Sequence, residues 1–431
     1  MRIKFGTVEL TEGPEKTAPV FWDSEKVLNS HFTLIGPSGS GKTTRLRRLM
    51  AGMNLINPKV RFIVLDPHGD MGVKGESSFR FSETAEVGLN PLRVREDLDY
   101  GGVRKAIRTF ISTINRTSRM LGSKQEYVVS NLLLDLYEKA GFIADDPRTW
   151  SLLFDPRQGE HRKRHPTVSD LRRFAEYKLT QVFLGTSGAA VAALDELSRK
   201  MRSLDRAVDK EARGLDGPDV EALKTKARDL FQQFLDTMET GREVDDLIKY
   251  KNREVLQSCF ERISNLEATG IFKPHPPTFD PAAPIWRYDL SALSSDEQRM
   301  VVDFVLEDLF ADARGEGQKD STELFVVLDE AHKFVSDEND HCISVWAREA
   351  RKFGLGLILS SQNLKDFPDE VLAQMGTTFV LGVASNFLDV TARKLKVEPK
   401  RLAGIQVHRT SLISIHNKGD SGKRWHDMHL V

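Results

Sequence analysis

A glycine-rich segment that carries a lysine and two threonines stands out at residues 36–44. Apolar residues lead into it and an amphipathic basic segment follows, so the order of strand, glycine loop and helix fits the P-loop pattern G-x-x-x-x-G-K-[ST]. In such a loop the backbone N–H groups and the lysine surround phosphate oxygens, and the threonine hydroxyl holds Mg²⁺. The sequence therefore predicts a nucleoside triphosphate site, with Thr43 as the Mg²⁺ ligand, formed by Gly36, Pro37, Ser38, Gly39, Ser40, Gly41, Lys42, Thr43 and Thr44.

Two adjacent carboxylates, Asp329 and Glu330, follow the apolar run 324–328. This is the Walker B arrangement that a P-loop requires. Consecutive side chains of a strand point to opposite faces, so the two carboxylates can have different roles. We expect Asp329 to bind Mg²⁺ and Glu330 to activate the attacking water as the general base.

A third apolar run, 356–361, ends in Gln362. The amide can donate to a γ-phosphate oxygen and accept from the attacking water, which is the task of a sensor. Just upstream, Arg348 and Arg351 lie in a cationic cluster. One of them is a candidate arginine finger for a neighbouring subunit's site; the alternative is a surface helix in which Glu349 pairs with its neighbours.

The β-branched run 60–65 ends in Asp66 and is followed by His68. This pattern is typical of a buried parallel strand, whose carboxyl end is where α/β sheets bind ligands. We therefore place Asp66 among the candidate nucleotide-binding residues. The alternative is that Asp66 and His68 only cap the next turn.

The order of the patterns predicts an α/β protein with three segments. Strand patterns and the P-loop fill residues 1–98, helical periodicity fills 99–277, and strand patterns with the two carboxylates return in 278–431. The middle segment is predicted to be a large α-helical insertion. The last strand is predicted at residues 377–383.

Composition describes a soluble globular chain of 431 residues with a net charge of −1 and 29% charged residues. We expect a cytoplasmic protein without a membrane anchor, because no signal-like segment or long apolar run occurs and the two cysteines lack metal or redox spacing. A grip on nucleic acid must come from local basic surfaces. Candidates are residues 162–164, Lys224, Lys226 and Arg228, although such clusters are usually solvated faces.

Taken in order, residues 36–43, 66–70, 328–332 and 348–362 resemble the HerA-like branch of the HerA/FtsK superfamily of P-loop ATPases. The segments 29–31, 89–92 and 289–291 are also similar to that branch. The resemblance covers most of 20–98 and 285–390. The chain departs from the family at Ala350 and at the pair 363–364, and we expect the N-terminal barrel domain of typical HerA proteins to be missing or reduced.

The resemblance implies a RecA-like core that assembles into a hexameric homo-oligomer, with double-stranded DNA in the channel and ATP with Mg²⁺ between subunits. It also implies a nuclease or other effector partner, in DNA processing or antiphage defence. Two alternatives remain open. One is an ATPase that acts as a scaffold or switch for a partner enzyme, and the other is an ATPase of conjugation or type IV secretion machinery.

Overall fold

The computed structural model describes residues 1–9, 17–155, 162–184, 196–197, 199–208, 219–236, 249–250, 252–336, 338, 341–362, 364–365, 367–422 and 424–430. Strands of this part of the chain form one sheet in the order β2-β1-β11-β10-β9-β3-β8-β7-β4-β6-β5. Their bounds are β1 Arg2–Glu9, β2 Thr17–Asp23, β3 Phe32–Ile35, β4 Arg61–Asp66, β5 Ser77–Arg80, β6 Ile285–Asp289, β7 Lys319–Leu328, β8 Phe353–Ser361, β9 Thr377–Val380, β10 Thr410–Ile415 and β11 Trp425–Leu430.

The helices flank this sheet or lie in the middle of the chain. They are α1 Lys42–Ile56, α2 Val103–Thr117, α3 Ser123–Lys139, α4 Val168–Leu184, α5 Val220–Asp236, α6 Arg253–Ala268, α7 Ser295–Glu316, α8 Cys342–Glu349, α9 Asp369–Gln374, α10 Leu388–Leu395 and α11 Pro399–Ala403. Short 3₁₀ turns occur at Pro147–Trp150, Ala331–Lys333, Ala350–Lys352 and Ser385–Phe387. Among the described residues, no helix is both long and apolar enough to cross a lipid bilayer.

The strands from β9 to β5 in the sheet order run parallel, as the βαβ alternation predicts. The strands β10, β11, β1 and β2 extend the sheet with antiparallel pairs. The prediction that the last strand lies at 377–383 is therefore wrong. β11 pairs with β1 and β10, but several of its side chains, such as His426 and Asp427, are exposed. Its sequence therefore has no apolar run that would predict a strand.

The parallel strands are held by a buried apolar core between the sheet and its helices. Phe325 of β7 stacks on Phe62 of β4 at a centroid distance of 5.6 Å and contacts Phe32 of β3 at 6.2 Å. Aromatic pairs of this kind add roughly 0.5–1.5 kcal/mol to the burial of their area. This packing fixes the relative positions of the strands whose ends carry the candidate site.

The chain divides into two compact units, one of residues 1–120 and 269–431 and one of residues 121–268. We predicted a helical insertion at 99–277, whereas α2 belongs to the unit that contains the sheet. The reason is that α2 packs against α7, where Phe110 stacks on Phe304 and Arg116 pairs with Asp303 at 3.0 Å. Segments 185–195, 209–218 and 237–248 of the predicted insertion lie outside the described residues.

A buried histidine before β3 gives the folded state a pH dependence. His31 Nδ1 accepts a hydrogen bond from the backbone N–H of Leu357 at 3.0 Å. Burial lowers its pKa from 6.5 to about 4. Between these two pH values His31 is protonated in the unfolded chain but not in the folded chain. The contribution of His31 to the free energy of unfolding is therefore fully present above its unfolded pKa and is lost as pH falls toward its folded pKa.

We expect this histidine to reduce the free energy of unfolding by about 2 kcal/mol between about pH 7 and pH 5. Urea unfolding of the wild type and of His31→Asn, which keeps an acceptor for Leu357, measures the effect. The variant should lose most of this pH dependence, and His426→Gln, which changes an exposed histidine, should keep it. An unchanged pH dependence in His31→Asn would contradict the assignment.

Candidate active site

The carboxyl ends of three neighbouring strands bring the predicted chemistry to one edge of the sheet. β8 lies between β3 and β7, with Ile35 beside Ser361 and Leu328 beside Leu359. The glycine loop follows β3, the two carboxylates follow β7, and Gln362 follows β8. Three segments that are far apart in sequence therefore meet.

The loop after β3 closes around its own lysine. Lys42 is buried, and its Nζ donates to the carbonyl oxygens of Gly36 at 2.8 Å and Pro37 at 3.3 Å. Burial lowers the pKa of Lys42, while the charges of Glu330 and Asp329 act in the opposite direction. The ammonium group is thus held inside the loop and faces the two carboxylates.

A side chain at either of two glycines in the loop would force the loop to shift or would strain its backbone. A Cβ on Gly36 would lie 2.2 Å from Ser40 Oγ, and Gly41 has a φ of 88°, in the left-handed region that favours glycine. The left-handed conformation of Gly41 lets helix α1 begin directly at Lys42, with no side chain capping its first turn. The backbone N–H groups of that turn therefore point into the loop, as an anion site requires.

Two further features fit a phosphate with its metal ion. Ser40 Oγ and Asp329 Oδ1 are buried and have no hydrogen-bond partner among the described residues. Burial raises the pKa of Asp329, and the neighbouring Glu330 carboxylate acts in the same direction. Carboxylate and hydroxyl oxygens are ligands of the kind that Mg²⁺ prefers. Thr43 is the second residue of α1, half-buried beside Lys42, and Thr44 is exposed.

Glu330 is fixed by two side chains that the sequence analysis did not connect with it. Gln362 Nε2 donates to Glu330 Oε1 at 2.8 Å, and His332 Nδ1 lies 3.2 Å from Glu330 Oε2. Burial alone would raise the pKa of Glu330, but hydrogen bonds from His332 and Gln362 and the charge of Lys42 lower it to about 2. The carboxylate is therefore ionised at neutral pH.

The backbone at Glu330 is also unusual. Its φ of 47° lies in the left-handed region, which a non-glycine residue adopts at a cost of order 1 kcal/mol. The 3₁₀ turn at Ala331–Lys333 follows at once and places His332 beside Glu330. The sequence signals for His332 were its position two residues after the carboxylate and its place in the segment 328–332 that resembles the HerA-like branch.

Asp66 ends β4 as predicted, but its side chain is already used. Its Oδ1 accepts from the backbone N–H groups of His68 at 3.2 Å and Gly69 at 2.8 Å. Its Oδ2 accepts from Met71 N at 2.9 Å and from Arg287 Nη1 at 3.2 Å. This geometry matches the alternative, a cap of the following turn, and a role of Asp66 in nucleotide binding stays a prediction.

Arg348 and Arg351 lie at the opposite end of β8 from Gln362. β8 has nine residues, and a strand of that length spans roughly 30 Å. The two arginines line a polar cavity of about 650 Å³ beside the amino ends of the central strands. Arg348 pairs with Glu370 at 2.6 Å, whereas the exposed Arg351 has no ion-pair partner among the described residues. Neither arginine reaches the glycine loop of its own chain.

Residues 3–138 match the family model described as the central domain of helicase HerA. A stretch of 101 residues is 32% identical to the DNA double-strand break repair helicase HerA of Sulfurisphaera tokodaii, covering 22% of this chain and 20% of that protein. A 64-residue stretch is 36% identical to the HerA helicase of Saccharolobus solfataricus, covering 14% of this chain and 13% of that protein. The chain thus matches a fifth or less of the length of these relatives.

Solved structures resemble the chain over nearly its whole length. VirB4 of Thermoanaerobacter pseudethanolicus has a TM-score of 0.65 at 15% identity, covering 100% of this chain and 96% of that one. The plasmid coupling protein TrwB in complex with ADP and Mg²⁺ has a TM-score of 0.52 at 13% identity, covering 100% and 95%. At this identity the likeness concerns the fold, which is the RecA-like P-loop core with helices on a mostly parallel sheet.

Proposed function

We propose that this chain, a HerA-like P-loop ATPase, hydrolyses Mg-ATP and uses the free energy to move double-stranded DNA through a ring of six copies. The observation that carries the proposal is the meeting of Lys42, Asp329, Glu330 and Gln362 at one edge of the sheet. The family match over the segment that contains the P-loop supports it.

Each residue of this edge has a distinct task in the proposal. Lys42 and the N–H groups of the loop bind the phosphates, and Thr43 with Asp329 would hold Mg²⁺, which supplies charge compensation when bound. Glu330 accepts the proton of the attacking water. Gln362 holds Glu330 in position and places its amide next to the path of that water.

The position of the arginines supports an assembly with sites shared between subunits. Because Arg351 lies at the end of β8 opposite the glycine loop, it can compensate phosphate charge only in a neighbouring copy. A heterologous interface that closes gives a ring. Six copies and a DNA-filled channel are what the HerA resemblance implies, as is a nuclease or other effector partner.

A second candidate function is an ATPase of conjugation or type IV secretion machinery. The structural likeness to VirB4 and to a bacterial conjugative coupling protein over nearly the whole chain favours it. Capture of the tagged chain together with a membrane-bound secretion complex would support this function. A scaffold that gates a partner enzyme according to its bound nucleotide is the third possibility, and it predicts ATP turnover that ignores DNA.

We expect duplex DNA to stimulate ATP turnover and the stimulation to fall steeply as salt rises from about 50 to 200 mM. A near-neutral chain must hold DNA by local lysines and arginines, and phosphate contacts of this kind release counterions. They position a duplex without reading its bases, so a random-sequence duplex serves as the substrate. Phosphate release is measured with and without this duplex at each salt concentration.

The duplex-independent rate over the same salt range is the control for an effect of salt on the enzyme itself. A turnover rate that ignores DNA at the low-salt end, in a confirmed oligomer supplied with its partner, would contradict DNA translocation. The scaffold function would then explain the site better.

A further inference from the structure

The helical unit of residues 121–268 contains a concave pocket of about 740 Å³ next to the start of α4. Its charged lining is strongly asymmetric, with five lysines or arginines and one carboxylate. These side chains are Lys139, Arg162, Lys163, Arg164, Arg173 and Asp170. A concave surface of one sign with low-dielectric walls concentrates ligands of the opposite charge.

The single carboxylate does not neutralise this lining. Asp170 closes the first turn of α4 with Thr167, accepting from its backbone N–H at 3.0 Å and its hydroxyl at 2.8 Å. It also pairs with Arg164 at 2.9 Å and Arg173 at 3.0 Å. One negative charge thus orients two arginines whose guanidinium groups remain largely exposed, and the pocket keeps a positive excess.

One of the cations belongs to the framework of the pocket. Lys163 Nζ donates to the carbonyl oxygens of Gly141, at 2.6 Å, and Thr149, and lies 4.0 Å from the centroid of the Phe142 ring. This leaves Arg162, which is exposed and has no ion-pair partner among the described residues, beside the oriented Arg164. The stretch 162–164 is the one that the sequence analysis marked as a candidate phosphate contact.

The pocket also has an aromatic surface. Phe174 is buried in its wall, and Tyr177, one turn further along α4, is 53% exposed. Lys139 Nζ lies 5.7 Å from each of the two ring centroids. An exposed aromatic face next to several cations is the combination that binds single-stranded nucleic acid, because the ring stacks a base while the cations hold its phosphate.

We propose that this pocket binds one nucleotide of a single nucleic-acid strand, with its base on Tyr177 and its phosphate at Arg162 and Arg164. A base that is paired within a duplex cannot stack on a protein ring, so the ligand is an unpaired strand and not a duplex. The site is separate from the glycine loop, and it goes beyond the proposed translocation of a duplex by adding a contact for an unpaired strand.

Binding of a fluorescein-labelled oligothymidylate of about 20 nucleotides to the full chain, followed by anisotropy without ATP, tests this site. Tyr177→Ala is expected to raise the Kd roughly tenfold, since one stacked base is worth about 1–3 kcal/mol. Tyr177→Phe keeps the ring and should bind like the wild type. Arg162→Gln should weaken binding and reduce its dependence on salt.

Matched controls are Tyr127→Ala, which removes a tyrosine that is 56% exposed on α3, and Lys124→Gln, which removes an exposed charge on the same helix. Both should leave the Kd unchanged. Competition by free thymidine monophosphate at the Kd of the strand would assign the pocket to a free nucleotide, and absence of competition would assign it to a strand.

A Tyr177→Ala protein with an unchanged melting temperature and an unchanged Kd would overturn the proposal. A second measurement uses only the wild-type protein, so it does not depend on whether a variant folds. Strands that contain 5-iodouridine should cross-link to the peptide around Tyr177 in the wild type, and cross-links confined to other peptides would also overturn it. Both measurements are made without ATP, so their outcome is independent of DNA-stimulated turnover.

Discussion

Replacement of Glu330 by glutamine is expected to lower ATP turnover by roughly 10²- to 10⁴-fold while ATP binding is kept. The wild-type side chain is ionised at neutral pH, and its carboxylate oxygen is the group that would take the proton of the water. Glutamine has the same shape and can still contact Gln362, but it cannot accept that proton. Steady-state phosphate release measures turnover, and equilibrium titration with a fluorescent ATP analogue measures binding.

Glu323→Gln on β7, the strand that leads to Glu330, is the matched control, because it neutralises an exposed carboxylate that pairs with Lys319 at 2.9 Å. It should turn over ATP at the wild-type rate. Near wild-type turnover in Glu330→Gln would show that Glu330 is not the base. Loss of ATP binding in that variant would instead show that Glu330 serves to hold the phosphate site together.

Replacement of Arg351 by alanine is expected to lower turnover by roughly 10³-fold or more, with ATP binding kept, because an arginine finger acts on charge that develops in the transition state. Arg348→Ala should have a smaller effect, since Arg348 is engaged by Glu370 at 2.6 Å. Phosphate release and nucleotide binding are measured for both variants in protein of confirmed oligomeric state.

Arg80→Ala provides the control for loss of an exposed arginine, because Arg80 lies on β5 at the far edge of the sheet. It should leave turnover unchanged. If Arg351→Ala and Arg80→Ala both had full activity, Arg351 would not be the arginine finger. A larger loss in Arg348→Ala than in Arg351→Ala would assign the role to Arg348.

The mostly parallel α/β sheet was predictable from the sequence because its signals are local. Buried parallel strands are apolar along their whole length, and each ends at a polar residue where the strand leaves the sheet. The apolar runs before Gly36, Asp329 and Gln362 therefore predicted both the strands and the edge at which they meet. The structure confirms the mostly parallel sheet flanked by helices.

Features that depend on contacts between distant residues were not predictable. The pairing of β11 with β1 joins the two ends of the sheet unit, and no local pattern indicates it. One of the hydrogen bonds that occupy the Asp66 carboxylate comes from Arg287, which lies on another strand, β6. The difference between Arg348 and Arg351 depends on Glu370, which lies on a separate helix. In each case the hydrogen-bond partner, rather than the residue type, decides what the side chain can do.

A mixing experiment tests most directly whether ATP is hydrolysed at sites shared between copies of this chain. Lys42→Ala removes the phosphate-binding charge and Arg351→Ala removes the finger, so each protein alone should be inactive. In an equimolar mixture with free exchange, about a quarter of head-to-tail interfaces combine an intact loop with an intact finger. Turnover is expected to recover toward that fraction of the wild-type rate. No recovery at any mixing ratio, with subunit exchange demonstrated, would contradict hydrolysis at shared sites.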